Sequence, residues 1–94
     1  MSSYQLRIAG ATGHHHTKGT FTMLTSEAID LAKRGYTAVL VVSDQPNLGL
    51  EVRKTDDGFH INRFNHTTIA KELEPSWLDA AEADLLSQIR RMTT

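Results

Sequence analysis

The sequence predicts an α+β domain: a mostly antiparallel sheet of about five strands with two helices on one face, in the order β-β-α-β-β-β-α. Three observations carry this. Short runs of alternating apolar and polar residues recur along the chain, the signature of half-buried strands. An Asp-Gly turn joins two such runs, Leu50–Arg53 and Phe59–Asn62, as in a hairpin. Two further segments place apolar residues at helical spacing behind hydroxyl residues suited to helix starts.

The elements follow in order. Tyr4, Leu6 and Ile8 alternate with Gln5, Arg7 and Ala9, and Thr20-Phe21-Thr22-Met23 alternates again. Residues 4–24 therefore read as two strands joined by a long loop that begins at Gly10. Thr25 or Ser26 is a ready N-cap, Glu27 suits a first turn, Lys33 and Arg34 suit a last turn, and Gly35 is a natural C′ residue, which predicts a helix over 26–34. Tyr36 to Val42 is a nearly continuous β-branched and apolar run, as expected of a central strand covered on both faces. The hairpin follows, turning at Asp56-Asp57-Gly58. Residues 67–73 suit a helical turn stopped by Pro75.

Ser76, with Asp79 at the capping-box position, opens a last helix whose face is Trp77, Leu78, Ala81, Leu85, Ile89 and Met92. Glu82 and Asp84 flank that face, Arg90 and Arg91 lie away from it, and Leu86 points to its shoulder, toward a wide buried face or a subunit contact. Ile29/Leu31 and Trp77/Ala81/Leu85/Ile89 are expected to meet Leu6, Ile8, Val39, Val41, Val52 and Ile61.

Size and composition bound the function. Ninety-four residues fit one domain, 1–94. Chains this short bury roughly 60–65% of their unfolded surface, so oligomerisation gains them much, and a homo-oligomer is expected. A net charge of −1 argues against a protein that grips duplex nucleic acid by its backbone. The chain has no cysteine, hence no disulfide or thiolate metal site, and no apolar stretch near the ~20 residues that span a bilayer. The start Met1-Ser2-Ser3-Tyr4-Gln5 lacks a secretory pattern, so a soluble cytoplasmic protein away from membranes is expected.

The most chemically loaded stretch is the loop Gly10-Ala11-Thr12-Gly13-His14-His15-His16-Thr17-Lys18-Gly19-Thr20. His14 and His16 are candidate metal ligands that His60 or His66 would complete, but consecutive residues of an extended segment point to opposite sides. Glycines with Lys18 and Thr20 suit an anion, although Lys18 precedes Gly19 and the order is not that of a P-loop. In Asn62-Arg63-Phe64-Asn65-His66, an arginine, an aromatic ring and amides group at a strand end, as they would to stack and hydrogen-bond a small ligand. The candidate ligand-binding set is therefore His15, Thr17, Lys18, Arg63, Phe64 and His66.

His15-His16-Thr17 and His66-Thr67-Thr68 form two His-x-Thr triplets, which resemble the active-site signature of the 2H phosphoesterases. The resemblance implies His15 and His66 as general base and acid, with Thr17 and Thr68 holding phosphate. Ile69 fits the usual apolar ending of the motif, Lys18 does not, and those enzymes are larger and two-lobed. From the first helix onward the element order is similar to that of a double-stranded RNA-binding domain. The last helix here opens on Ser76-Trp77-Leu78-Asp79 rather than on lysines, against that mode of binding.

The function expected is that of a small non-catalytic binding protein, an inhibitor or regulator of the kind phages and mobile elements carry, holding a partner protein or a small anionic ligand without a cofactor. The alternatives are a 2H-type phosphoesterase and a nucleotide-binding sponge with Lys18 and Arg63 on phosphates and Phe64 on the base.

Overall fold

The computed structural model describes residues 4–9, 17–19, 21–42 and 45–92. Its elements are β1 (Tyr4–Ile8), β2 (Thr17–Gly19), α1 (Phe21–Lys33), β3 (Ala38–Val42), β4 (Gln45–Thr55), β5 (Gly58–Asn65), a 3₁₀ turn (Lys71–Leu73) and α2 (Ser76–Met92). Four longer strands and the three-residue β2 form one antiparallel sheet in the order β2-β1-β3-β4-β5. The α+β class with two helices packed on the sheet is as the sequence predicts.

One row of the register explains the core. Leu6 of β1 pairs with Leu40, Leu40 with Leu50, and all three are essentially unexposed. Against them pack Leu24, Ala28, Ile29 and Ala32 of α1 and Leu78, Ala81 and Leu85 of α2. Both helices thus cover the same face of the sheet.

Two expectations are corrected. Residues 21–23 are the first turn of α1, not a strand, and the second strand lies earlier, at Thr17–Gly19. Leu24, Ala28, Ile29 and Ala32 form a helical stripe that begins two residues before residue 26, and its burial outweighs a four-residue alternation. In β3 the phase is opposite to the one expected: Ala38 and Leu40 join the helix-covered core, which places Val39 and Val41 on the other face. A strand apolar at every position carries no phase of its own, and here β1 sets it by pairing Ile8 with Ala38 and Leu6 with Leu40. Ile8 itself is half-buried and outside the core cluster.

The helix ends follow local chemistry. Gly35, at φ 94°, lets Tyr36 N–H reach Leu31 O and Gly35 N–H reach Ala32 O, both at 3.1 Å, which closes α1 as a Schellman motif. Between the helices runs a polar clasp. The fully buried Thr25 hydroxyl donates to the Asp84 carboxylate, with Thr22 O 2.9 Å away as the alternative acceptor. Gln88 Nε2 donates to Thr25 Oγ1 and to Asp84 Oδ2, each at 3.0 Å, and Ser26 Oγ donates to Gln88 Oε1 at 2.9 Å. On the shoulder of α2, Leu86 stays 46% exposed.

Candidate functional site

Among the described residues, those that carry most of the recognisable chemistry sit on β5 and the segment after it. Successive side chains of a strand alternate between faces. Arg63 shares its row with Leu50, Leu40 and Leu6 on the helix side, so Phe59, Ile61, Arg63 and Asn65 face the helices and His60, Asn62 and Phe64 face the open side.

A guanidinium at the end of an apolar row needs counter-charge. Arg63 finds it in Asp79 at 2.9 Å, Glu74 at 3.4 Å and Glu82 at 3.5 Å. The hydrogen bond that Arg63 donates to Asp79 is the largest influence raising the Arg63 pKa, burial opposes it, and the bond to Glu74 adds to it. Only 6% of the Glu74 side chain is exposed. Asn65 brings Glu74 there. Its Nδ2 donates to Glu74 Oε2 and to Ile69 O, both at 3.0 Å, and its Oδ1 accepts from Thr67 N–H at 2.9 Å and from the Thr67 hydroxyl. The chain after β5 is thereby folded back on the strand. Beside it opens a cleft of about 640 Å³ lined by Arg63, Asn65, Lys71, Glu74 and Glu82. With three carboxylates on one guanidinium, Arg63 ties the segment 66–82 to β5.

The open side is built differently. Gly49 of β4 pairs with Phe64, whose Cζ would lie 3.1 Å from a Cβ on Gly49; Val41 Cγ1 would lie at 2.8 Å. Missing its side chain, Gly49 leaves room for the Phe64 ring beside Val41, which is fully buried. His66 stacks on Phe64 with centroids 5.6 Å apart and 29° between the planes, and is itself exposed. Row by row, Arg7, Val39, Glu51 and Asn62 share this face, as do Arg53 and His60. His60 Nε2 is 2.9 Å from Thr55 Oγ1, bracing the hairpin end.

The sequence-derived candidates are therefore dispersed. Arg63 and Phe64, grouped by adjacency, lie on opposite faces, while Phe64 and His66 come together. Thr17 and Lys18 belong to β2, at the other edge of the sheet from β5, four strand spacings or about 19 Å away. Thr68 is exposed in the segment after β5. His14, His15 and His16 lie outside the described residues. The described ends of their connection, Ile8 and Thr17, sit toward the end of the sheet where Ala38 and Val52 lie, whereas β5 releases His66 at the end marked by Tyr4 and Leu48. Among the described residues no three His, Asp or Glu side chains gather as a metal site.

Sequence reasoning missed Glu74, Asp79 and Glu82 as partners of Arg63. Asp79 and Glu82, three apart on α2, share a side of that helix, which was the available signal. It also passed over Gly49, although a glycine inside a strand pattern often marks a close approach. Among the described residues no helix is long and apolar enough to cross a membrane. None of the protein-family models, curated proteins or solved structures compared with the chain matches it.

Proposed function

We propose that the chain is a non-catalytic binding protein, an inhibitor or regulator, that docks a partner protein on the open face of its sheet and does so as a homo-oligomer. One observation carries the reading: both helices cover one face, and the other presents Val39 and the stacked Phe64–His66 pair among Arg7, Glu51 and Arg53. Half-exposed apolar and aromatic groups rimmed by mixed charge are the composition of a protein interface. The nucleotide reading is weakened, because it relied in part on the Arg63 guanidinium that three carboxylates hold. A domain of 94 residues also gains from assembly.

The test is capture of a partner from the source cells by the wild-type chain, by Val39→Lys and His66→Glu on the open face, and by Met92→Lys on the helix side, where Met92 is exposed. The expected result is a partner kept by Met92→Lys and lost by both open-face variants. A partner lost only by Met92→Lys, or a small retained mass in native mass spectrometry that Arg63→Ala abolishes, overturns the reading.

A further inference from the structure

We infer that the outer edge of β5 is a self-pairing interface: two copies join β5 to β5 in antiparallel register about Ile61, making one continuous sheet. This rests on the homo-oligomeric part of the reading above and adds the surface and the register.

The ladder itself shows which backbone groups are free. His66 N–H bonds Asn47 O at 2.8 Å, and the pairing steps evenly from Leu48↔Asn65 to Thr55↔Gly58 without a bulge. Hydrogen-bonded pairs alternate along an antiparallel ladder. Gly58, His60, Asn62 and Phe64 therefore exchange bonds with β4, and Phe59, Ile61, Arg63 and Asn65 direct N–H and C=O away from it. Among the described residues no hydrogen bond is made to those eight groups, and β5 is the last strand of the sheet.

An exposed edge is a pairing template unless something blunts it. β5 is eight residues long and carries no lysine, proline or bulge. Its one charge, Arg63, is neutralised by Glu74, Asp79 and Glu82, so it does not repel an incoming strand.

A second copy fits this edge by symmetry and by charge. The stretch 59-61-63 of that run maps onto itself in one antiparallel register, Phe59 opposite Arg63 of the second copy and Ile61 opposite Ile61. The six backbone groups of these three residues then pair, and no two like charges face each other. His60 meets Asn62 on the open side. Phe59 and Ile61, half-buried at the rim of the core, become covered. Around α2, Leu86 projects between Asp79 and Glu82, so the exposed leucine lies on the side of the helix that reaches β5. A two-fold axis normal to the sheet keeps the helices of both copies on one side and doubles the open face.

The experiment uses the whole chain, by light scattering over a concentration series and by oxidation of single-cysteine variants, since the chain has no cysteine. Ile61→Pro removes only an outward N–H, which an edge strand tolerates, and should raise the dimer Kd by about tenfold or more with an unchanged circular dichroism spectrum. Cα atoms of a hydrogen-bonded pair stand about 5.5 Å apart, within disulfide reach. Ile61→Cys should thus cross-link to itself, and Asn62→Cys, which faces His60, should not. If Ile61→Pro fails to fold, the two cysteine variants decide. A monomer at every concentration overturns both this interface and the oligomeric reading. An oligomer that is indifferent to Ile61→Pro, or that cross-links through Asn62→Cys instead of Ile61→Cys, overturns the interface alone.

Discussion

Gly49 and Phe64 face each other across β4 and β5, and the tip of the phenylalanine ring lies against the place a Gly49 side chain would occupy. The pairing shelters Val41 on a face that neither helix reaches. A Cβ on Gly49 would lie 2.3 Å from Leu40 O and 2.8 Å from Val41 Cγ1, and the first of these is backbone that cannot swing aside. Gly49→Ala is expected to cost about 1–3 kcal/mol by overpacking, a fall in Tm of roughly 4–8 °C per kcal/mol for a domain of this size. Urea or thermal melts read it. An unchanged midpoint would mean that the strands meet otherwise at this row.

Arg63 and its carboxylates should not contribute equally. Glu74 is nearly buried and Asp79 is 77% exposed. Removing one partner of a buried pair costs about 3–5 kcal/mol, and the 23% exposure of Arg63 reduces this, so Arg63→Ala should cost about 2 kcal/mol. Asp79→Asn should cost at most about 1 kcal/mol, because water screens an exposed ion pair. The Arg63 pKa is raised in the fold, so its stabilisation is present below the unfolded value and is lost only as pH rises through the folded one. Both lie far above neutrality. Melts of Arg63→Ala and wild type should therefore keep a constant gap across the neutral range, and a gap that closes there would contradict the assignment.

The Thr25–Asp84–Gln88 clasp should behave as a unit. Thr25→Val keeps the shape and removes the hydroxyl, leaving Asp84 and Gln88 each short of a partner at the helix interface. The expected loss is about 1–3 kcal/mol. In a double-mutant cycle with Gln88→Ala, the two losses should fall short of adding, since each change breaks the same bond. Strict additivity would show that Gln88 and Thr25 do not act on each other in solution.

How far the sequence speaks can be judged from particular residues. The β4–β5 hairpin was legible because Leu50, Val52, Phe59 and Ile61 alternate around an Asp-Gly turn, and α2 because its apolar face and its opening at Ser76 agree. The phase of β3 was not, since a run with no polar position does not say which side is in; Leu6 and Ile8 decide it through pairing. The start of α1 was hidden by Phe21 and Met23, whose i, i+2 spacing imitates a strand. At the site, adjacency misled. Arg63 and Phe64 are neighbours in the chain and strangers in space, because a strand sends them to opposite faces. The partners of Arg63, from Glu74 to Glu82, become visible only once the segment after β5 turns back.

That return depends on Asn65. Its amide spans three attachments, to Ile69 O, to Glu74 and to Thr67, and Thr67 Oγ1 in turn accepts from Ile69 N–H at 3.1 Å. No single bond here is strong, each contributing about 0.5–1.5 kcal/mol net. Their convergence on one side chain makes the segment cooperative. Asn65→Ala should release residues 66–74 and withdraw Glu74 from Arg63, while β5 stays in the sheet through its ladder with β4. The expected signature is local: faster hydrogen exchange and proteolytic cleavage over 66–74, with little change in the exchange of β3 and β4. Asn65→Asp tests the chemistry more sharply. It keeps the acceptor that Thr67 uses but replaces the donor to Glu74 and Ile69 O by a second carboxylate beside Glu74. If the amide donor holds the segment, the aspartate should loosen it at least as much as alanine does, and protection near wild type in Asn65→Asp would show that Thr67 alone is sufficient.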